Sequence, residues 1–165
     1  MWGNKQEATS TWFGLFLDSG EKTGGVDVLA EAWTGKVPAN RCPRVGRIDF
    51  DLDRKEVGPG APLRARLIAD DPDGDPLTVR REVRSEGADR REGGDRESGP
   101  PPHPESFVEA RGMDLAFKAP GLPGPCRLFA FVYDGKGGAA TANVTFAVKA
   151  AASPSTSASA ARPGE

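Results

Sequence analysis

Ala69-Asp70-Asp71-Pro72-Asp73-Gly74-Asp75-Pro76-Leu77 follows one alternating apolar run and precedes another, and Val132-Tyr133-Asp134-Gly135-Lys136-Gly137-Gly138 repeats that placement further along. Each stretch therefore reads as the hinge of an antiparallel strand pair. In the first, Pro72 and Pro76 fix φ at about −65° and remove two backbone donors, while Gly74 admits a positive φ. The aspartates can accept hydrogen bonds from amides one or two residues on, which makes a self-capped turn.

Working outward, Ile48, Phe50 and Leu52 share one face of a first strand over Val45–Leu52, and Gly58-Pro59-Gly60-Ala61-Pro62 is a turn. Leu63, Ala65, Leu67 and Ala69 alternate with Arg64, Arg66 and Ile68, a half-buried second strand. Leu77, Val79 and Val83 share a face that also takes Arg81, with Arg80, Glu82 and Arg84 opposite. An unpartnered guanidinium on that inner face is expensive, so either a carboxylate meets Arg81 or the face is open. Short strands are expected at Phe107–Ala110 and Leu115–Ala119, ended by Pro120. Cys126–Val132 is apolar on both faces, as a central strand is, and Ala140–Val148 alternates strictly.

Composition agrees with many short strands: among 165 residues there are 21 Gly and 15 Pro, too much punctuation for a helical bundle. The length suffices for one domain with a core plus extra segments and is too short for a complete (β/α)8 barrel. A formal charge of −2 with no long basic run gives a nucleic-acid or anionic-membrane partner no electrostatic support. No apolar stretch reaches the length of a membrane span, and the first residues lack the features of a signal peptide. An export signal, if the protein is exported, is expected outside this chain. Two cysteines make no disulfide framework, and Cys42 and Cys126 are expected as unpaired thiols.

Two readings of the acidic turn stand side by side. One is an Asx-type turn with solvated carboxylates. The other is a calcium site, since a hard cation would relieve the repulsion among the crowded acids. The spacing does not fit the helix-loop-helix calcium loop, so such a site would use Asp71, Asp73 and Asp75 and draw on the second turn through Asp134.

Catalytic patterns are sparse. His103 sits in the stiff Pro100-Pro101-Pro102-His103-Pro104, and nearby Ser98 has no identifiable base or orienting acid. Glu7 cannot by itself supply the pair of carboxyl groups that glycoside hydrolysis needs. Neither a zinc-ligand cluster nor a phosphate-cradling loop is present. The segment 85–106, charged and then proline-rich, is expected to be a mobile loop, or alternatively a flap with Gly93-Gly94-Asp95 at its tip. The Ala/Ser/Pro tail 150–165 reads as disordered or a linker.

The succession of a Gly-Pro turn, a strand, Asp-Pro-Asp-Gly-Asp-Pro-Leu, a strand, Ala-Pro-Gly, and Arg-Leu-Phe-Ala-Phe-Val-Tyr-Asp-Gly-Lys-Gly-Gly-Ala-Ala resembles the PKD and cadherin-like group of immunoglobulin-like modules. The resemblance covers about Pro43 to Lys149 and implies an antiparallel β-sandwich of seven strands. One position departs from it: such modules often carry a tryptophan in the strand after the Asp-Gly-Asp turn, where this chain has Arg81.

Residues 1–42 differ in kind. Ser10-Thr11-Trp12-Phe13-Gly14-Leu15-Phe16-Leu17 is apolar on consecutive positions, which asks for cover on both faces. Val26, Leu29, Ala30 and Trp33 then fall at helical spacing, opened near Thr23 and closed at Gly35. A strand-like segment and a helix with surplus apolar surface look like the last unit of a larger α/β domain. Trp2-Gly3-Asn4-Lys5-Gln6-Glu7 through Trp12-Phe13-Gly14-Leu15-Phe16, with the helix and Trp33-Thr34-Gly35-Lys36-Val37-Pro38-Ala39-Asn40-Arg41, is similar to the end of the (β/α)8 barrel of bacterial glycoside hydrolase-like proteins, in which a β-sandwich follows. That resemblance implies that Trp2, Lys5, Gln6, Glu7 and Trp12 lie at the barrel mouth as sugar-contacting residues. Otherwise they are ordinary barrel packing and a solvated turn.

The expectation is a mainly β chain: a barrel remnant at 1–42, a sandwich at 43–149 and a tail. Its expected role is a non-catalytic accessory module in carbohydrate metabolism, buttressing an adjoining (β/α)8 catalytic domain outside the cell or in the periplasm. The alternatives are a polysaccharide- or protein-binding module, gripping through Phe129, Tyr133 or the loops, and a fragment that completes a glycoside hydrolase active site.

Overall fold

The computed structural model describes residues 14–50, 56–86 and 100–150. The expected sugar-contacting residues Trp2, Lys5, Gln6, Glu7 and Trp12, the tip 93–95 of the long loop and most of the tail lie outside the described residues.

The described chain is mainly β. In order come β1 (Lys22–Thr23), α1 (Gly24–Thr34), β2 (Arg44–Phe50), β3 (Glu56–Val57), β4 (Pro62–Asp70) and β5 (Thr78–Ser85). A 3-10 turn (Pro104–Ser106) then leads into β6 (Phe107–Arg111), β7 (Asp114–Lys118), β8 (Gly124–Tyr133) and β9 (Gly138–Val148). One sheet runs β2-β4-β7-β6, and the other runs β1-β9-β8-β5 with β3 also on β9. Leaving β1 aside, that is the immunoglobulin arrangement, with the first strand shared between the sheets as β2 and β3.

Only the second acidic turn hinges an antiparallel pair, β8 and β9. The first, expected to do the same, crosses from β4 of one sheet to β5 of the other, because β4 and β5 pair with other strands. Gly74 (φ 78°) and Gly135 (φ 71°) occupy the left-handed region that these turns need.

The core lies between the sheets. β4 contributes Leu63, Ala65 and Leu67, β7 Leu115 and Phe117, β8 Cys126, Leu128, Ala130 and Val132, and β9 Phe146 and Val148. Phe50, Phe117 and Phe146 bring three strands together with ring centroids 5.9 Å apart in each pair. Cys42 and Cys126 are free and buried, so packing rather than a disulfide joins the layers. β8 is covered on its outer face too, where Leu17 packs with Phe129, Phe131 and Ala139.

The N-terminal segment is fastened to that outer face. Leu17 closes a tight turn, accepting from Gly20 N at 2.9 Å and donating to Glu21 O at 2.9 Å, and β1 then pairs in parallel with Gly138 and Ala139. Thr23 precedes α1, but its hydroxyl donates to Gly14 O at 2.6 Å instead of capping the helix. Gly35, at φ 67°, ends the helix with its N–H on Glu31 O.

Arg81 faces the interior beside Val79 and Val83, where the resemblance expects a tryptophan. Its Nη2 donates to Gly112 O in the β6–β7 turn, while its Nε is buried without a partner. The expected carboxylate is thus replaced by a backbone carbonyl, and burial pulls the guanidinium below its ordinary pKa. Gly112 is exposed, so water can satisfy its carbonyl. Arg81→Met is expected to raise stability by about 1 kcal/mol, whereas Leu128→Ala lowers it by roughly 2–5 kcal/mol. Urea denaturation midpoints of the two variants check both signs.

Candidate functional site

The four aspartates singled out in the sequence meet at one end of the sandwich, where the connector from α1 crosses both acidic turns. Asp71 shapes its own turn: Oδ1 accepts from Asp73 N at 2.9 Å and from Asp75 N at 3.1 Å. Asp73 faces Arg41, which donates its backbone N (2.7 Å) to Oδ2 and its Nε (3.0 Å) and Nη2 (2.8 Å) to Oδ1. Arg41 Nη2 also reaches Pro72 O at 2.6 Å. Asp75, 9% exposed at its side chain, pairs through Oδ1 with Lys136 Nζ at 2.6 Å. The second turn is thereby tied to the first.

Asp134 is buried at 3% exposure. Its Oδ1 accepts from Lys136 N (2.7 Å) and Gly138 N (2.9 Å), and its Oδ2 accepts from Asn40 Nδ2 (2.9 Å). Beneath it, Asp27 of α1 pairs with Lys22 and accepts from Cys42 N at 2.6 Å, while Lys22 Nζ also donates to Asn40 O at 2.7 Å. A residue with a Cβ at position 138 would collide with the Asp134 carboxylate and lie 3.2 Å from Cys42 Cα. Burial works against the charge of Asp134, but the Asn40 amide and the Lys136 and Gly138 N–H groups outweigh it and hold the carboxyl below its usual range. Asp27 behaves alike, its burial outweighed by Lys22 and Cys42. Asp73 is held low by the backbone and side chain of Arg41. Burial, with Asp27 nearby, pushes the Cys42 thiol up to about 12, so it is unreactive near neutral pH.

This arrangement does not fit a calcium ion well. The repulsion that would call for one is met by Arg41 and Lys136, and the only carboxylate oxygens of the four expected ligands that are buried without a partner are Asp71 Oδ2 and Asp75 Oδ2. Calcium takes six to eight oxygens, and among the described residues no three acidic, His or Cys side chains are grouped to hold a metal. The sequence reading brought the two turns together but missed their partners. Asn40 and Arg41 lie in an irregular connector with no periodicity to place them, and Lys136 was visible only as part of the echoed turn.

An open depression on the outer face of the β2-β4-β7 sheet is walled by Asp49, Arg64, Arg66 and Asp114, two acids and two bases on neighbouring strands. No protein-family model matches the chain, and no curated protein does.

Two expectations concern the junction. Gly138→Ala should cost about 1–3 kcal/mol through overpacking. Because Asp27, Asp73 and Asp134 titrate lower in the folded chain than the usual unfolded value of about 3.9, their contribution is complete above that pH and is lost as pH falls below about 4. Denaturation midpoints measured between pH 6 and pH 2.5 should fall over that window, and Asp134→Asn should flatten the fall.

Proposed function

We propose that this chain is an accessory module of a carbohydrate-active protein, buttressing or orienting an adjoining (β/α)8 domain and leaving glycosidic-bond chemistry to that domain. The observation that carries this reading is α1. It spans eleven residues with an apolar stripe, yet none of its residues is buried. Trp33 is 80% exposed, and Val28 on the helix and Val37 just beyond it are open as well. A helix of this kind owes its stability to tertiary packing of its apolar face, and among the described residues Val26, Leu29 and Ala30 are only partly covered while Glu31 to Val37 are exposed. The surplus apolar surface suits a neighbour that completes the layer.

The alternative of a sugar-gripping platform lacks such support. Phe129 is closed beneath Leu17 at 2% exposure, and Tyr133 is half-buried with its hydroxyl accepting from Arg80 Nε at 3.3 Å.

Reading the coding frame upstream of Met1 tests the proposal. A continuous frame encoding a (β/α)8 domain is expected, and an in-frame stop codon directly ahead of Met1 overturns it. In the joined protein, Trp33→Asp should lower the melting temperature of the barrel while leaving kcat and KM per folded molecule unchanged. A drop in kcat with undiminished melting temperature would instead favour a part in the active site.

A further inference from the structure

The proline-rich segment before β6 lies along the free edge of β5. Ser85 N donates to Pro101 O at 3.4 Å, His103 N to Val83 O at 2.8 Å, and Arg84 Nη1 to Pro100 O at 3.1 Å, with a bridge between Arg84 and Pro102. Ser106 N, donating to His103 O at 3.0 Å, turns the chain over immediately afterwards. Four prolines around one histidine, pinned at both ends, fix where its ring can point.

The side chain, 9% exposed, points between two groups of opposite function. Ser85 Oγ lies 2.8 Å from His103 Nε2, and Glu105 Oε1 lies 3.0 Å from His103 Nδ1. Hydroxyl on Nε2, carboxylate on Nδ1 and a sequestered imidazole between them is the order used to activate a serine. Glu105, held ionised by its own backbone N–H and by His103, has no proton to give, so Nδ1 carries the hydrogen and Nε2 is the acceptor. The Ser85 hydroxyl therefore donates to Nε2, the polarity in which the imidazole can take its proton. Ser85 is partly exposed, and the Glu105 side chain is 61% exposed.

We propose that Ser85, His103 and Glu105 form a nucleophilic site that takes the acyl group of small, unhindered carboxylic esters. The sequence hid this site: Ser98 is the nearer serine, whereas the partners that the fold supplies lie eighteen residues back and two residues on. Ser85 Oγ attacks the carbonyl carbon as its proton passes to His103 Nε2. The ester C–O bond then breaks, and the imidazolium returns the proton to the departing alkoxide, which leaves as an alcohol. Water attacks the acyl-serine, giving one proton to Nε2, and the acid leaves as Ser85 recovers its hydrogen. Glu105 holds the tautomer and offsets the imidazolium charge throughout. The inference goes beyond the accessory role and concerns this chain alone, so its outcome is independent of any neighbouring domain.

The test uses the whole chain with a biotinylated fluorophosphonate, followed by mass spectrometry of the labelled peptide and by p-nitrophenyl acetate hydrolysis. The expected result is a single adduct on Ser85, formed as fluoride leaves. Ser85→Ala should remove both the adduct and the hydrolysis, and Glu105→Gln, an exposed position, should slow both about tenfold or more and shift their pH profile. His103→Ala should abolish both. If that variant fails to fold, the Ser85→Ala and Glu105→Gln results decide. No Ser85 adduct under conditions that label a reference serine esterase, or an adduct formed at equal rate in folded Glu105→Gln and His103→Ala chains, overturns the proposal.

Discussion

A single buried carboxylate governs how this molecule is assembled. Asp134 accepts from the amides of Lys136 and Gly138, which closes the β8–β9 turn, and from the Asn40 side chain, which seats the connector leaving α1. A carboxylate taken out of water is tolerated only when its oxygens are filled, and here three donors fill them. The space around it is so tight that position 138 accommodates nothing larger than glycine without movement. With Asn40 held, Arg41 is delivered to Asp73 and Cys42 to Asp27, and α1 is moored against the last strand. A hydrogen-bonded pivot, together with the Leu17 cluster on the outer face of β8 and the β1–β9 pairing, joins the first part of the chain to the sandwich.

The positions of the strands along the chain were legible because the information was local. Alternation placed β4, β7 and β9, the doubly apolar run placed β8 in the interior of its sheet, and the Asp134 turn marked a true hairpin, whereas nothing local told that the Asp71–Asp75 turn crosses between the sheets. The helix was equally readable from Val26, Leu29 and Ala30 and from Gly35 at its end. Arg81 was recognised as anomalous, but its solution was not foreseen. Only the folded topology brings the Gly112 carbonyl across from the other sheet.

The polar assemblies were harder to read for a physical reason. Ion pairs such as Arg41–Asp73 and Lys136–Asp75 join irregular segments, where no period ties side-chain direction to sequence position. The contact between Ser85 and His103 depends on the proline segment adding itself to the edge of β5, a long-range backbone event with no periodic signature. Acidic crowding alone suggested a cation, and the fold answered it with its own arginine and lysine.

The margins of the larger sheet are treated differently from its middle. β9 meets the two-residue strands β1 and β3 at its opposite ends, and the rim of β5 is lined by a segment rich in residues that have no N–H to offer. A second molecule sliding along β5 would find few free N–H groups there on which to template a ribbon. Crowded together or strung in tandem, such modules are guarded at that rim against pairing edge to edge.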